Sequence, residues 1–117
     1  MKKVFHLSSC NTCQRIISEL GGLADFEHQN IKDKNISAKE LDFLKKQAGS
    51  YEALFSRRAM KFREWGLHEK ELTEQDYRKY ILEEYTFLKR PVIVDGNEVF
   101  IGNARKVVAA AKAHLSK

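Results

Sequence analysis

The sequence predicts an α/β fold in which a four-stranded mixed sheet is packed between helices in three layers. Two observations lead to this expectation. The chain begins with a strand–helix–strand pattern over residues 2–31, and it ends with a strand–strand–helix pattern from Pro91 onward. A strand–helix–strand unit implies parallel strands, whereas two strands joined by a short turn are antiparallel. The sheet is therefore expected to contain both kinds of pairing.

Length and composition indicate a single domain over residues 1–117. Hydrophobic residues make up 43% of the chain and charged residues 32%, which is typical of a folded globular protein. The formal net charge is +5, but no stacking motif accompanies the basic residues, so nucleic-acid binding is not expected. No apolar run approaches the roughly 20 residues of a membrane helix, and the apolar stretch near the first residues is too short for a signal peptide. We therefore expect a cytoplasmic location and no membrane partner.

The first unit is read from local signals. Residues 2–7 are expected to form a strand because apolar residues dominate them before a Ser-Ser turn. A helix is expected from Asn11 to Leu20, ended by the pair Gly21-Gly22. Residues 24–31 alternate loosely and are expected to form a second strand.

A helical insert is expected over about residues 37–88. Ser37-Ala-Lys-Glu40 has the spacing of a capping box, and the helix after it is expected to end at Gly49. Residues 51–65 are basic and predicted to be helical in part. A second capping box, Thr73-Glu-Gln-Asp76, starts another helix.

The end of the chain contains a predicted hairpin. The β-branched run 91–94 reads as a strand, Asp95-Gly96-Asn97 as a tight turn, and residues 98–101 as the returning strand. Asn103 is expected to cap a last helix. The resulting order, β-α-β, insert and β-β-α, is that of the thioredoxin fold.

Two cysteines at the predicted strand-to-helix turn are the candidate reactive centre. The motif is Cys10-Asn11-Thr12-Cys13. Unpaired N–H groups and the helix dipole at a helix start stabilise an anion, and the thiolate is the reactive form of cysteine. We expect Cys10 to be the exposed nucleophile and Cys13, one turn inward, to be the resolving thiol that displaces a bound product by internal exchange.

Two alternatives to redox chemistry remain open for this pair. The thiols could be ordinary reduced side chains, or they could supply half of a metal site in a dimer. No metal site is predicted within one chain, since none of the four histidines has zinc-finger spacing from the cysteines. His6, close to Cys10 on the first strand, is either a residue that tunes the thiol or a structural histidine.

Several segments resemble the arsenate-reductase C (ArsC) family, which also contains the Spx group of transcriptional regulators. They are the N-terminal strand with Cys-x-x-Cys, the stretch Leu54-Phe55-Ser56-Arg57-Arg58, Trp65-Gly66-Leu67, and Lys89-Arg90-Pro91-Val92-Ile93-Val94. The resemblance implies a thioredoxin-like fold with a helical insertion. It also implies that Cys10 is the catalytic nucleophile, that Arg90 faces it, and that Pro91 follows a cis peptide bond.

The resemblance implies a thiol-dependent oxidoreductase that reduces arsenate or a related small oxidised substrate. Arg57 or Arg58 would hold the anion together with Arg90 and the residues Asn11 and Thr12. No bound cofactor is expected; glutathione, thioredoxin or glutaredoxin would supply electrons.

A different class of function is also implied. An Spx-like regulator would use the Cys10–Cys13 disulfide to control binding to RNA polymerase. A third hypothesis is a glutathione-dependent reductase of another small molecule, in which the basic residues of segment 57–63 bind the glutathione carboxylates. Such a run of charges is also typical of a solvated helix face.

Overall fold

The computed structural model describes all 117 residues and contains a four-stranded sheet and five α-helices. The strands are β1 (Lys2–His6), β2 (Glu27–Asn30), β3 (Val92–Asp95) and β4 (Glu98–Ile101). The α-helices are α1 (Asn11–Glu19), α2 (Ala38–Ala48), α3 (Met60–Glu64), α4 (Glu74–Glu83) and α5 (Arg105–Leu115). Short 3-10 helices occur at Glu52–Leu54, Leu67–Glu69 and Tyr85–Phe87.

The contacts divide the chain into two compact units. The first combines residues 1–34 with residues 90–117, and the second is residues 35–89. The first unit contains the whole sheet together with α1 and α5. The second contains α2, α3 and α4. None of the helices combines the length and apolar character that a transmembrane span requires.

The sheet of the first unit is mixed, as the sequence predicted. Its strand order is β2-β1-β3-β4, with β1 parallel to β2 and antiparallel to β3, and with β3 antiparallel to β4. The hairpin turns at Gly96, whose φ of 64° is a left-handed value that favours glycine. The α/β class and the thioredoxin-like order of elements are therefore confirmed.

One face of the sheet carries the core that supports α1. Val4 lies opposite Ile93, and Ile93 lies opposite Phe100, so all three side chains share a face. Ile17 of α1 and Ala111 of α5 pack in the same cluster. Burying an aliphatic side chain of this size stabilises a fold by about 1.5–3 kcal/mol. This packing fixes α1, and the cysteines at its start, against the sheet.

Several boundaries differ from the sequence predictions. The second strand is shorter than residues 24–31, because Leu23 adopts a φ of 53° and the Phe26 amide donates to the Leu23 carbonyl in a turn. Segment 51–65 is split between a 3-10 helix and α3. Both capping boxes in the second unit are present.

The predicted cap at Asn103 is wrong. The N-cap of α5 is Ala104, whose carbonyl accepts the amides of Val107 and Val108. The loop after β4 is one residue longer than the sequence pattern indicated, so the amide side chain of Asn103 falls one position too early. As a result, α5 begins with no side-chain cap.

Candidate active site

Cys10 occupies the junction between β1 and α1. It is the N-cap residue of α1, with extended backbone (φ −92°, ψ 105°). Its amide donates to the Leu7 carbonyl at 3.0 Å, and its own carbonyl accepts the Gln14 amide at 3.1 Å. Cys10 is partly buried and Cys13 is fully buried, and both are reduced. The junction thus presents one accessible sulfur with a second, enclosed thiol one turn along.

The surroundings of Cys10 favour its thiolate. Burial alone would raise the pKa of Cys10, but interactions with the backbone amide and thiol of Cys13 and with the Arg90 guanidinium outweigh it and hold that pKa below its ordinary value. Cys13 is the third residue of α1, so its amide faces the Cys10 sulfur from the position of a helix-capping donor, although the contact falls short of a full capping hydrogen bond.

Cys13 has the opposite tendency. Burial raises the pKa of Cys13 to about 12, although an interaction with the Leu7 backbone acts in the other direction. Because that interaction favours the thiolate, Leu7 must act as a hydrogen-bond donor, and the only donor in its backbone is the N–H group. Cys13 is therefore protonated near neutral pH and can donate to the Cys10 sulfur. The pKa values of two chemically identical groups are thus shifted in opposite directions.

The antiparallel pairing of β1 and β3 brings Arg90 to Cys10. Phe5 lies opposite Val92, so the end of β1 that leads to Cys10 and the start of β3 that follows Arg90 are neighbours in the sheet. The Arg90–Pro91 peptide bond is cis. The Arg90 guanidinium hydrogen-bonds to Cys10, so these sequence-predicted residues share one unit and one site.

Asn11 and Thr12 form the first turn of α1, beside the sulfur. Asn11 is exposed and Thr12 is half-buried. The first turn contains no acidic residue, so its free amides face no competing carboxylate. Across the chain, no three histidine, cysteine, aspartate or glutamate side chains are grouped closely enough to hold a metal ion.

Arg57 and Arg58 belong to the second unit. The Arg57 guanidinium donates to Glu52 Oε2 and to the Tyr77 hydroxyl, both at 2.7 Å. Arg58 is exposed. Which of the two faces an anion stays a prediction, and Arg57 is already engaged within its own unit.

Sequence reasoning missed Gln14. Its side-chain nitrogen lies 3.0 Å from the Leu7 carbonyl and 3.2 Å from His6 Nδ1. Its position four residues after Cys10, on the side of α1 that faces β1, is the signal that could have indicated it. His6 contacts this amide and the His28 ring, and the groups that shift the pKa of Cys10 are Cys13 and Arg90.

Solved structures with this fold cover nearly the whole chain. An ArsC-family-related protein from Bacteroides fragilis matches with a TM-score of 0.80 at 20% identity, over 94% of this chain and 96% of that one. An arsenate reductase from Vibrio cholerae matches with a TM-score of 0.75 at 17% identity, over 94% and 98%. An arsenate reductase (ArsC) related protein from Brucella melitensis matches with a TM-score of 0.70 at 20% identity, over 93% and 92%. At these identities the likeness shows the fold.

No curated protein matches the sequence. The sequence profile of the ArsC family, in contrast, matches residues 5–111, a segment that includes both cysteines, the helical insert and the hairpin. Because this match spans most of its length, the chain belongs to the ArsC family.

Proposed function

We propose that this protein is a thiol-dependent reductase of a small oxyanion, arsenate or a close chemical relative, with Cys10 as the nucleophile. The observation that carries the proposal is the contrast between an accessible Cys10 held toward its thiolate and an enclosed Cys13 held as a thiol. Perturbed pKa values at a partly open site are typical of catalytic groups. Membership of the ArsC family supports the same class of chemistry.

The proposed reaction has three steps. The Cys10 thiolate attacks pentavalent arsenic, and an oxygen leaves as water after protonation. Cys13, once deprotonated, attacks the Cys10 sulfur; the sulfur–arsenic bond breaks and its electron pair stays on arsenic, which becomes trivalent. The pair is left as a Cys10–Cys13 disulfide, which an external thiol reduces back to two thiols.

Arg90 and the start of α1 would bind the anion. Arg90 already donates to the Cys10 sulfur, and a guanidinium is suited to two parallel hydrogen bonds with an oxyanion. The free amides of the first turn, near Asn11 and Thr12, favour negative charge at the same place. Arg57 and Arg58 stay candidates from the sequence alone, and Arg57 is already paired with Glu52 and Tyr77.

The electrons would come from thiols and not from a bound cofactor. Glutathione, or a protein dithiol of the glutaredoxin or thioredoxin class, is chemically sufficient to reduce the disulfide. The cycle requires a reducing compartment such as the cytoplasm, since a standing disulfide would leave no nucleophile.

Turnover of arsenate tests the proposal. The purified protein is assayed for arsenite formation with glutathione plus glutaredoxin, and separately with thioredoxin and its reductase. We expect turnover with at least one donor, none with Cys10→Ser, and full turnover with Ser9→Ala, an exposed hydroxyl neighbour. Absence of turnover with every donor, or activity that survives Cys10→Ser, would contradict the proposal. Cys13→Ser decides whether Cys13 or an external thiol resolves the intermediate.

A second candidate function is a redox-switched regulator that binds RNA polymerase. The engagement of Arg57 inside the insert favours it, because that arginine is then less available for a substrate anion. We would compare binding of purified RNA polymerase to the reduced protein, to the Cys10–Cys13 disulfide form, and to Cys13→Ser. Binding that depends on the disulfide, in a protein without arsenate turnover, would support this function over the first.

A further inference from the structure

The side-chain amide of Gln14 links α1 to the end of β1, because each of its two hydrogens faces an acceptor there. The Leu7 carbonyl, 3.0 Å away, can only accept a hydrogen bond, so the side-chain atom that faces it must be the nitrogen. The same nitrogen lies 3.2 Å from His6 Nδ1. Its second hydrogen therefore points at that ring atom, which must carry no proton. His6 is consequently assigned the tautomer with its proton on Nε2.

The backbone of Leu7, the residue that follows β1, contacts both cysteines. Its carbonyl accepts the Cys10 amide as well as the Gln14 side chain, both at 3.0 Å. Its N–H faces the Cys13 thiol; after burial, this is the next influence on the pKa of Cys13, and it lowers that pKa. A movement of the Leu7 backbone, which carries both groups, would therefore displace Cys10 and alter the surroundings of Cys13 together.

We propose that Gln14 is a positioning residue for the cysteine pair, holding the Leu7 carbonyl so that Cys10 is presented to Cys13 and Arg90. The proposal rests on the proposed function in that it takes Cys10 as the nucleophile. The Gln14 side chain hydrogen-bonds to His6 and to the Leu7 carbonyl, and it acts through the backbone of the turn. His6 is the acceptor that completes the anchor, and burial followed by the nearby His28 lowers the pKa of His6, which favours the neutral ring that can accept at Nδ1.

Alkylation of Cys10 over a range of pH tests the positioning role. Gln14→Met keeps an unbranched side chain of similar length but has no hydrogen to donate. Ser18→Ala, an exposed position on the same helix, is the matched control. Iodoacetamide is used as the probe, and mass spectrometry confirms that Cys10 is the modified residue.

We expect Gln14→Met to shift the midpoint of the Cys10 alkylation profile to higher pH. The alkylation rate at pH 7 should fall by roughly three- to ten-fold, because a rise of one unit in the pKa lowers the thiolate fraction about ten-fold. At high pH, where the thiol is fully ionised, the deficit of Gln14→Met should disappear, because its more basic thiolate is at least as nucleophilic. Ser18→Ala should retain the original profile. A Gln14→Met profile that coincides with that of the unmodified protein would overturn the proposal.

A second measurement needs no variant. The nitrogen chemical shifts of His6 in the unmodified protein should show a proton on Nε2 and none on Nδ1 at pH 7. A proton on Nδ1 would overturn the proposal even if Gln14→Met did not fold. Neither measurement uses arsenate, so failure of this inference and failure of the proposed reductase activity are distinguished.

Discussion

Two clusters of hydrogen-bonded polar side chains in this molecule make similar contacts, but the contacts have different electrostatic consequences. The cysteine turn, residues 6–14, contains Cys10 and Cys13, the proposed reactive pair. In the second unit, the Asp42 cluster consists of Asp42, Tyr51 and Arg78. Asp42 accepts the Tyr51 hydroxyl at 2.6 Å and Arg78 Nε and Nη2 at 2.9 and 3.2 Å. Arg78, followed by Tyr51, lowers the pKa of Asp42 to about 2, so its charge is settled at every ordinary pH.

The cysteine turn differs because two identical groups, the thiols of Cys10 and Cys13, lie in different surroundings. The Cys10 thiolate is favoured by donors, whereas burial keeps Cys13 protonated. A cluster of opposite charges neutralises itself and contributes to stability. A pair of identical groups with separated pKa values holds an acid beside a nucleophile. Asymmetry, more than the number or shortness of the hydrogen bonds, therefore distinguishes the proposed active site from the Asp42 cluster.

The largest expected effect is the difference in reactivity between the two thiols. Cys13→Ser leaves Cys10 alone and keeps a hydroxyl donor beside it, while Cys10→Ser leaves only the enclosed Cys13. Because burial holds the pKa of Cys13 near 12, its thiolate is scarce at pH 7.5. We expect Cys10 to be alkylated at least about 100-fold faster, after allowing for the greater intrinsic nucleophilicity of the more basic thiolate. Equal iodoacetamide rates in the two variants would contradict the asymmetry.

Arg90 and Arg57 provide the next comparison. Arg90→Met removes a donor to the Cys10 sulfur, so the pKa of Cys10 should rise and its alkylation rate at pH 7 should fall about ten-fold. Arg57→Met removes a guanidinium that is bonded to Glu52 and Tyr77, and the Cys10 rate should change less than about two-fold. Arg90→Lys keeps the charge and should give an intermediate rate. An equal loss in Arg57→Met would show that the insert also governs the thiol.

Local signals were sufficient for most of the fold. The capping boxes at Ser37–Glu40 and Thr73–Asp76 each specify a helix start through neighbours three residues apart, and Gly49 ends α2 in a left-handed conformation. The turn at Gly96 is equally local. The start of α5 was misplaced because the length of the loop before it depends on how the helix packs on the sheet, which residue types near Asn103 do not encode.

The geometry of the site depends on tertiary register, which one sequence does not display. That a cysteine follows a strand and begins a helix can be read from neighbouring residues. Arg90 comes near Cys10 because β1 pairs with β3, a strand that begins more than 80 positions later in the chain. The contact of Gln14 with His6 likewise depends on which side of α1 faces β1, and that orientation is set by tertiary packing. The engagement of Arg57 by Tyr77 depends on the fold of the insert in the same way.

The Asp42 cluster should contribute to stability in a pH-dependent manner. Asp42→Asn removes the charge that Arg78 and Tyr51 face, and we expect the free energy of unfolding at pH 7 to fall by about 1 kcal/mol, a modest value because the carboxylate is nearly half exposed and screened by solvent. The folded-state pKa lies below the unfolded value of about 4, so this contribution is complete above that pH and is lost as the pH falls through about 2.

Thermal unfolding at pH 7, 4 and 2 measures this dependence. The difference in melting temperature between Asp42→Asn and the unmodified protein should be several degrees at pH 7 and should shrink toward zero at pH 2. Glu83→Gln, an exposed carboxylate on α4, serves as the control and should show little difference at any pH. A gap of constant size from pH 7 to 2 would mean that packing or shape, and not the ionised carboxylate, accounts for the effect.

The smallest expected effect concerns the uncapped start of α5. Ala104 has the extended backbone of an N-cap residue but no acceptor for the free amides, and the basic residues Arg105 and Lys106 follow at the positive end of the helix dipole. Ala104→Asp should therefore raise the free energy of unfolding by about 0.5–1 kcal/mol. The same replacement at Ala109, exposed in the middle of α5, should lower it, because aspartate is a poor residue for a helix interior. Denaturant unfolding of both variants gives opposite signs if the helix begins at Arg105, and the same sign if it begins elsewhere.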